Sequence, residues 1–133
     1  MVRNGGNDEK AARVMKKHRN YPRRVQPNSI PQISNRLRLL HAAVSRRQPE
    51  LASCTEFARF VGLSRNAWWN YVKGHGRISV DAAMRLYERL GVSLDWIYEN
   101  DTRHMPWELM SEIRLIAEEA ANDDTADQKN GAA

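Results

Sequence analysis

At 133 residues the chain has room for one domain with tails, and a hydrophobic content of 41% can supply one modest core. No apolar run approaches the roughly 18 residues of a membrane span, no N-terminal stretch suits a signal peptide, and the single cysteine, Cys54, forbids an internal disulfide, so a cytoplasmic protein is expected. The net charge of +5 is a gradient: residues 1–31 carry +6, residues 32–104 carry +4 and residues 105–133 carry −5, which favours polyanions at the front of the chain.

Residues 1–28 read as a flexible basic arm, polar and punctuated by Gly5-Gly6, Pro22 and Pro27. Its cluster Arg13, Lys16, Lys17, Arg19, Arg23 and Arg24 either tracks phosphates or is a solvated tail. Ser29-Ile30-Pro31-Gln32 then starts a first helix, with Ser as N-cap and Pro in the first turn. Ile33, Leu37, Leu40 and Val44 recur along it at helical spacing and form one buried face. A connection containing Pro49 follows.

Ser53 with Glu56 three places on is a capping box, which opens a second helix over about 54–61 with Phe57, Ala58 and Val61 inward. Gly62 allows that helix to end in a sharp turn, and Ser64 caps a third helix over about 65–73. In that third helix Trp68 and Tyr71 point inward, while Arg65, Asn66, Trp69 and Asn70 face out. Two helices crossing steeply over a Gly-containing turn form a helix-turn-helix, whose second helix fits a DNA major groove.

Gly74-His75-Gly76 breaks the chain. Ser79 caps a fourth helix in which Val80, Ala83, Met84, Tyr87 and Leu90 are expected to line the core, and Gly91 ends it. Ser93 caps a short fifth helix containing Leu94, Trp96 and Ile97. Pro106 opens a sixth, with Leu109, Ile113, Ile116 and Ala120 on one stripe. That sixth helix, over 102–121, either folds back onto its own domain or pairs with a second subunit. A polar tail over 122–133 is expected to be disordered. There is no strand pattern and no internal repeat, so the fold class is all-α.

The order Glu56-Phe57-Ala58, Gly62-Leu63-Ser64, Tyr71, Gly74, Leu90-Gly91-Val92-Ser93 and Leu94-Asp95-Trp96-Ile97-Tyr98 resembles the Cro and phage-repressor (Xre-type) helix-turn-helix family. The resemblance covers roughly Ile30 to Asp101. It implies a five-helix repressor-like domain over 29–101 that binds double-stranded DNA as a homodimer and regulates transcription in a bacterium or phage.

In that family the side chains reaching base edges come from the N-cap, the next two positions and one turn further along the recognition helix. Carried onto this chain these are Ser64, Arg65, Asn66 and Asn70. The chemistry suits the task, since Arg donates twice to guanine O6 and N7 and Asn pairs with adenine N6 and N7. Trp69, beside them, either presses on thymine methyls or sugar edges or covers an apolar neighbour. Thr55, Lys73, His75 and Arg77 are candidate phosphate contacts, with Arg38, Arg46 and Arg47 as weaker ones.

Two positions depart from the family. Cys54 stands where relatives often present Gln to a phosphate, and Val72 where they often carry Glu. Among other chemistries, the four His residues show no metal-ligand spacing and no phosphate loop or nucleophile elbow appears, so neither catalysis nor a cofactor is expected. The competing expectation is a protein-interaction module of antitoxin or anti-activator type, resting on Trp69, Trp107 and the stripe of helix 106–121.

Overall fold

The computed structural model describes residues 26–131, and side chains as far as Asp124. Its elements are α1 (Ile30–Arg47), a 3-10 turn (Pro49–Leu51), α2 (Cys54–Val61), α3 (Arg65–Lys73), α4 (Val80–Leu90), α5 (Leu94–Glu99) and α6 (Trp107–Gly131). No strand occurs among the described residues. The arm assigned to residues 1–28 lies outside the described residues except for the turn at 26–28.

Each of the first five helices begins at a serine whose hydroxyl accepts from the backbone amide three residues on. Ser29 accepts from Gln32, Ser53 from Glu56, Ser64 from Ala67, Ser79 from Ala82 and Ser93 from Trp96, at 3.1–3.4 Å. Such a cap satisfies one of the amides that a helix start leaves without a partner and contributes about 1 kcal/mol. The capping box at Ser53 is made on one side, because the Glu56 carboxylate pairs with Arg59 at 3.3 Å.

The turn between α2 and α3 needs Gly62, whose φ of 79° lies in the left-handed region. There the Leu63 amide reaches back to the Ala58 carbonyl at 2.8 Å and closes the end of α2. A side chain at residue 62 would also crowd the Arg85 guanidinium, which lies 3.2 Å from the place of a Cβ.

The core sits between α1, α2 and the helices that close over them. Leu37 and Leu40 of α1, Phe57 and Val61 of α2, Trp68 of α3, Leu86 of α4 and Ile97 of α5 are fully buried. Phe57 and Trp68 lie 4.6 Å apart between ring centroids, and the His41 ring is 4.3 Å from Phe57. Trp68 Nε1–H donates to His41 Nδ1 at 3.4 Å, so Nε2 carries the proton donated to the Leu51 carbonyl at 2.9 Å. One imidazole thereby satisfies both a buried indole and the 3-10 turn.

Two expectations are corrected. On α4 the buried residues are Ala82, Ala83 and Leu86, whereas Val80, Met84 and Tyr87 are exposed by 61%, 39% and 52%. The small alanines let the helix approach the core closely, and the larger apolar side chains are left on the water side. The stretch 122–133, expected to be disordered, continues α6 as far as Gly131. Of its residues before Gly131, Ala126, Gln128 and Lys129 favour helix, and no proline or glycine interrupts it there.

The sixth helix folds back on its own domain through Leu109, Met110 and Ile113, which are buried against the core that includes α1. Arg46 pairs with Glu119, and Arg47 with Glu108 at 3.4 Å, so the two arginines near the end of α1 tie it to α6. Ile116 packs partly on the core, while Ala120 of the expected stripe is exposed.

Candidate nucleic-acid interface

α3 is nine residues long and amphipathic in a simple way. Trp68 and Val72 go inward, and Ser64, Arg65, Asn66, Trp69 and Asn70 are all exposed on its outer side. The stretch from Phe57 to Val80 carries four Lys/Arg and no acid, and of these Arg59 pairs with Glu56 just before it.

The helix is fastened from behind. Ser64 caps its start, and the Cys54 thiol lies 3.9 Å from the Arg65 carbonyl, which places the beginning of α2 against the beginning of α3. At the other end α1 supplies two donors one turn apart. Ser34 Oγ–H donates to the Tyr71 carbonyl at 2.7 Å and Arg38 Nη1–H to the Val72 carbonyl at 2.5 Å. These are the carbonyls that a helix C-terminus leaves without intrahelical partners, and a cation there also opposes the helix dipole. Gly74, with φ of 77°, turns the chain away, and the His75 amide closes onto the Asn70 carbonyl at 2.9 Å.

The phosphate candidates are placed differently from one another. Lys73 Nζ lies 4.5 Å from the centroid of the Trp69 ring, so these two site residues are in contact. His75 is exposed just past α3. Arg77 is exposed but donates through Nη1 to the Asn28 carbonyl, at the root of the arm. Thr55 is exposed in the first turn of α2. Of the weaker candidates, Arg38 serves the end of α3, and Arg46 and Arg47 are engaged with α6. Trp69 is 45% exposed, and the Lys73 ammonium lies over its ring.

A charged residue that the spacing did not single out supports the frame. Arg36 is buried, donating from Nε and Nη2 to the Ile97 carbonyl at 3.0 and 2.6 Å, and from Nη2 to Pro27. Burial lowers its pKa, and the nearby Glu99 carboxylate opposes that shift. Arg36 joins α1, the end of α5 and the root of the arm. The helical period does place residue 36 on the buried face, three after Ile33 and four before Leu40, but a guanidinium there is read as surface charge until its carbonyl partners are seen.

Tyr98 lies in the last turn of α5 and Asp101 just beyond it. Tyr98 donates to the Ile78 carbonyl at 2.8 Å, and burial with the neighbouring Tyr71 raises its pKa while Arg77 opposes the rise. The Asp101 carboxylate is held at a pKa of about 2 by the Arg103 guanidinium and backbone amide, which donate to it.

Among the described residues no group of His, Cys, Asp and Glu is arranged to hold a metal ion, and no helix is long and apolar enough to cross a membrane. A half-open groove of about 170 Å³ lies between α1, Pro106 and the start of α6, lined by Val44, Arg47, Gln48, Leu90, Glu108 and Leu109. It is remote in sequence from α3, and an ion pair between Arg47 and Glu108 lies at its wall. No protein-family model, curated protein or solved structure matches the chain.

Proposed function

We propose that this protein is a sequence-specific DNA-binding regulator of transcription of the Cro/phage-repressor (Xre) type, inserting α3 into the major groove as one half of a dimer. The observation that carries this reading is the outer side of α3. Arg65, with two donors, and Asn66 and Asn70, each with a donor and an acceptor, can make bidentate contacts and are exposed on a helix clamped at both ends, within a stretch of chain that has no acidic residue. Each bidentate contact is worth about 1–3 kcal/mol of discrimination between bases. Lys73 and His75, beside the helix end, and Thr55, on α2, are placed to position the duplex through phosphates, which fixes register and carries no sequence information.

One copy reads only a few base pairs. Two copies related by a two-fold axis read half-sites about one helical turn, ~34 Å, apart, which gives the affinity that a single domain lacks. Selection of bound sites from a pool of random duplexes tests the reading. The expected result is a two-fold symmetric site whose affinity falls steeply with salt. Equal binding of selected and scrambled duplexes across a salt series refutes it.

A second reading, an interaction module that grips another protein, is favoured by one observation. Trp107 is 76% exposed at the start of α6, and Leu115 on the same helix is 49% exposed. Exposed aromatic side chains are common anchors of protein interfaces. A gel shift against genomic fragments separates the two, since a module of this kind leaves every fragment unshifted.

A further inference from the structure

We propose that the exposed face of α4, formed by Val80, Met84 and Tyr87, is the surface on which a second copy of this chain docks. The three side chains stand at i, i+4 and i+7, so they form one stripe about two turns long. They are 61%, 39% and 52% exposed, while the opposite side of the same helix carries the buried Ala82, Ala83 and Leu86. Large apolar groups grouped on one helical stripe, and not covered by the fold, are the usual mark of an interface.

Three observations select a copy of this chain as the occupant. The charges that α4 turns to solvent are balanced, with Asp81 and Glu88 against Arg85 and Arg89. A second copy therefore meets no net repulsion there, and a polyanion meets no net attraction. The expected apolar stripe of α6 is used inside the chain through Leu109, Met110 and Ile113, which leaves Trp107 and Leu115, eight residues apart, as its exposed apolar groups.

The start of α4 is also tied to the recognition helix. Tyr71 of α3 donates to Ser79 Oγ at 3.5 Å, while Tyr98 of α5 holds the neighbouring Ile78 carbonyl at 2.8 Å. Docking through α4 thus fixes the distance between two copies of α3, which half-site reading requires. The inference rests on that reading for its biological sense.

The patch is small. Three side chains per copy bury less than the ~1,200 Å² at the low end of stable interfaces. The dimer is accordingly weak in solution and is completed on a duplex carrying two half-sites.

Sedimentation equilibrium of the full chain from about 1 μM to 1 mM spans the range in which such a dimer forms. Wild type is compared with Met84→Glu, Tyr87→Glu and Leu115→Glu, each checked for folding by circular dichroism and thermal melting. Met84→Leu serves as the conservative variant. The expected result is loss of the dimer in Met84→Glu and Tyr87→Glu, with wild-type behaviour in Met84→Leu and Leu115→Glu.

On selected duplexes the two glutamate variants should bind a two-half-site probe at least tenfold more weakly and a single half-site unchanged. A dimer that persists in both, a dimer dissolved by Leu115→Glu instead, or a wild type that is monomeric with and without DNA overturns the proposal. A wild type that selects no duplex, yet dimerises through α4, refutes the DNA reading and leaves the docking surface standing.

Discussion

Lys73 Nζ lies 4.5 Å above the indole of Trp69, one helical turn behind it on the outer side of α3. A cation over an exposed aromatic face contributes about 0.5–1 kcal/mol, enough to bias the orientation of the ring. The only apolar group that a base pair offers in the major groove is the C5-methyl of thymine. An oriented indole among carboxamides and a guanidinium is therefore suited to meet it.

Replacing individual thymines by deoxyuridine in a selected site tests this. Wild type should lose about three- to tenfold in affinity at one thymine per half-site, from a methyl contact of roughly 1 kcal/mol. Trp69→Ala should bind the two duplexes equally in a gel shift. Equal loss in wild type and variant would show that the methyl is read elsewhere.

Arg65 and Lys73 should separate cleanly in competition assays. Arg65→Ala should relax preference at one base position, removing about 1–3 kcal/mol of discrimination. Lys73→Ala should weaken all sequences alike and reduce the slope of log K against log salt by about one. A loss of discrimination in Lys73→Ala would move that residue from phosphate to base.

Ser34→Ala removes the hydroxyl that serves the Tyr71 carbonyl. The expected cost is about 1–2 kcal/mol in chemical denaturation, because the carbonyl is left without that donor. Hydrogen exchange should quicken in the last turn of α3 before it quickens in α2.

Arg36→Met should be more costly, about 2–4 kcal/mol. The Ile97 carbonyl loses a charged donor inside the protein, and Pro27 loses its tie to α1. Thermal melting of this variant beside Arg36→Lys measures how much of the effect belongs to the forked geometry of the guanidinium.

The Asp101 carboxylate, at about 2, lies below its usual value of roughly 3.9 because Arg103 donates to its charged form. A depressed folded-state pKa means that its contribution is present above about pH 4 and is lost as pH falls toward 2. A carbon-detected NMR titration should place the Asp101 midpoint near 2 in wild type and return it toward the ordinary range in Arg103→Ala.

The helix starts were legible because a cap is local chemistry. Ser29, Ser53, Ser64, Ser79 and Ser93 each do at the backbone what their spacing implied. The limits of α2 and α3 follow from the same signals together with Gly62 and Gly74. The outward placement of Arg65, Asn66, Trp69 and Asn70 was legible from period alone, since Trp68 has to be inside.

What was misread depends on how closely helices approach. Periodicity favours large apolar residues for the core, so Val80, Met84 and Tyr87 were placed there with Ala83, which is buried, whereas Ala82 and Leu86 make the rest of the contact. Arg36 and Arg38 look like surface charge in one dimension, and only their distance to the Ile97 and Val72 carbonyls gives them a role. The fate of α6 depended on Leu109, Met110 and Ile113 finding the core that includes α1, a contact distant in sequence, with the exposed pairs of Arg46 and Arg47 to Glu119 and Glu108 adding little.

Because Ser34 and Arg38 grip α3 by its main-chain oxygens, the exposed side chains at 65, 66 and 70 carry little of what holds it in place. They can be exchanged in combination without unfolding the domain. A library varied at those three codons, proline excepted, should stay folded almost throughout and, on the proposed DNA reading, yield proteins retargeted to new sequences, so that the frame would be adaptable by selection on very few positions.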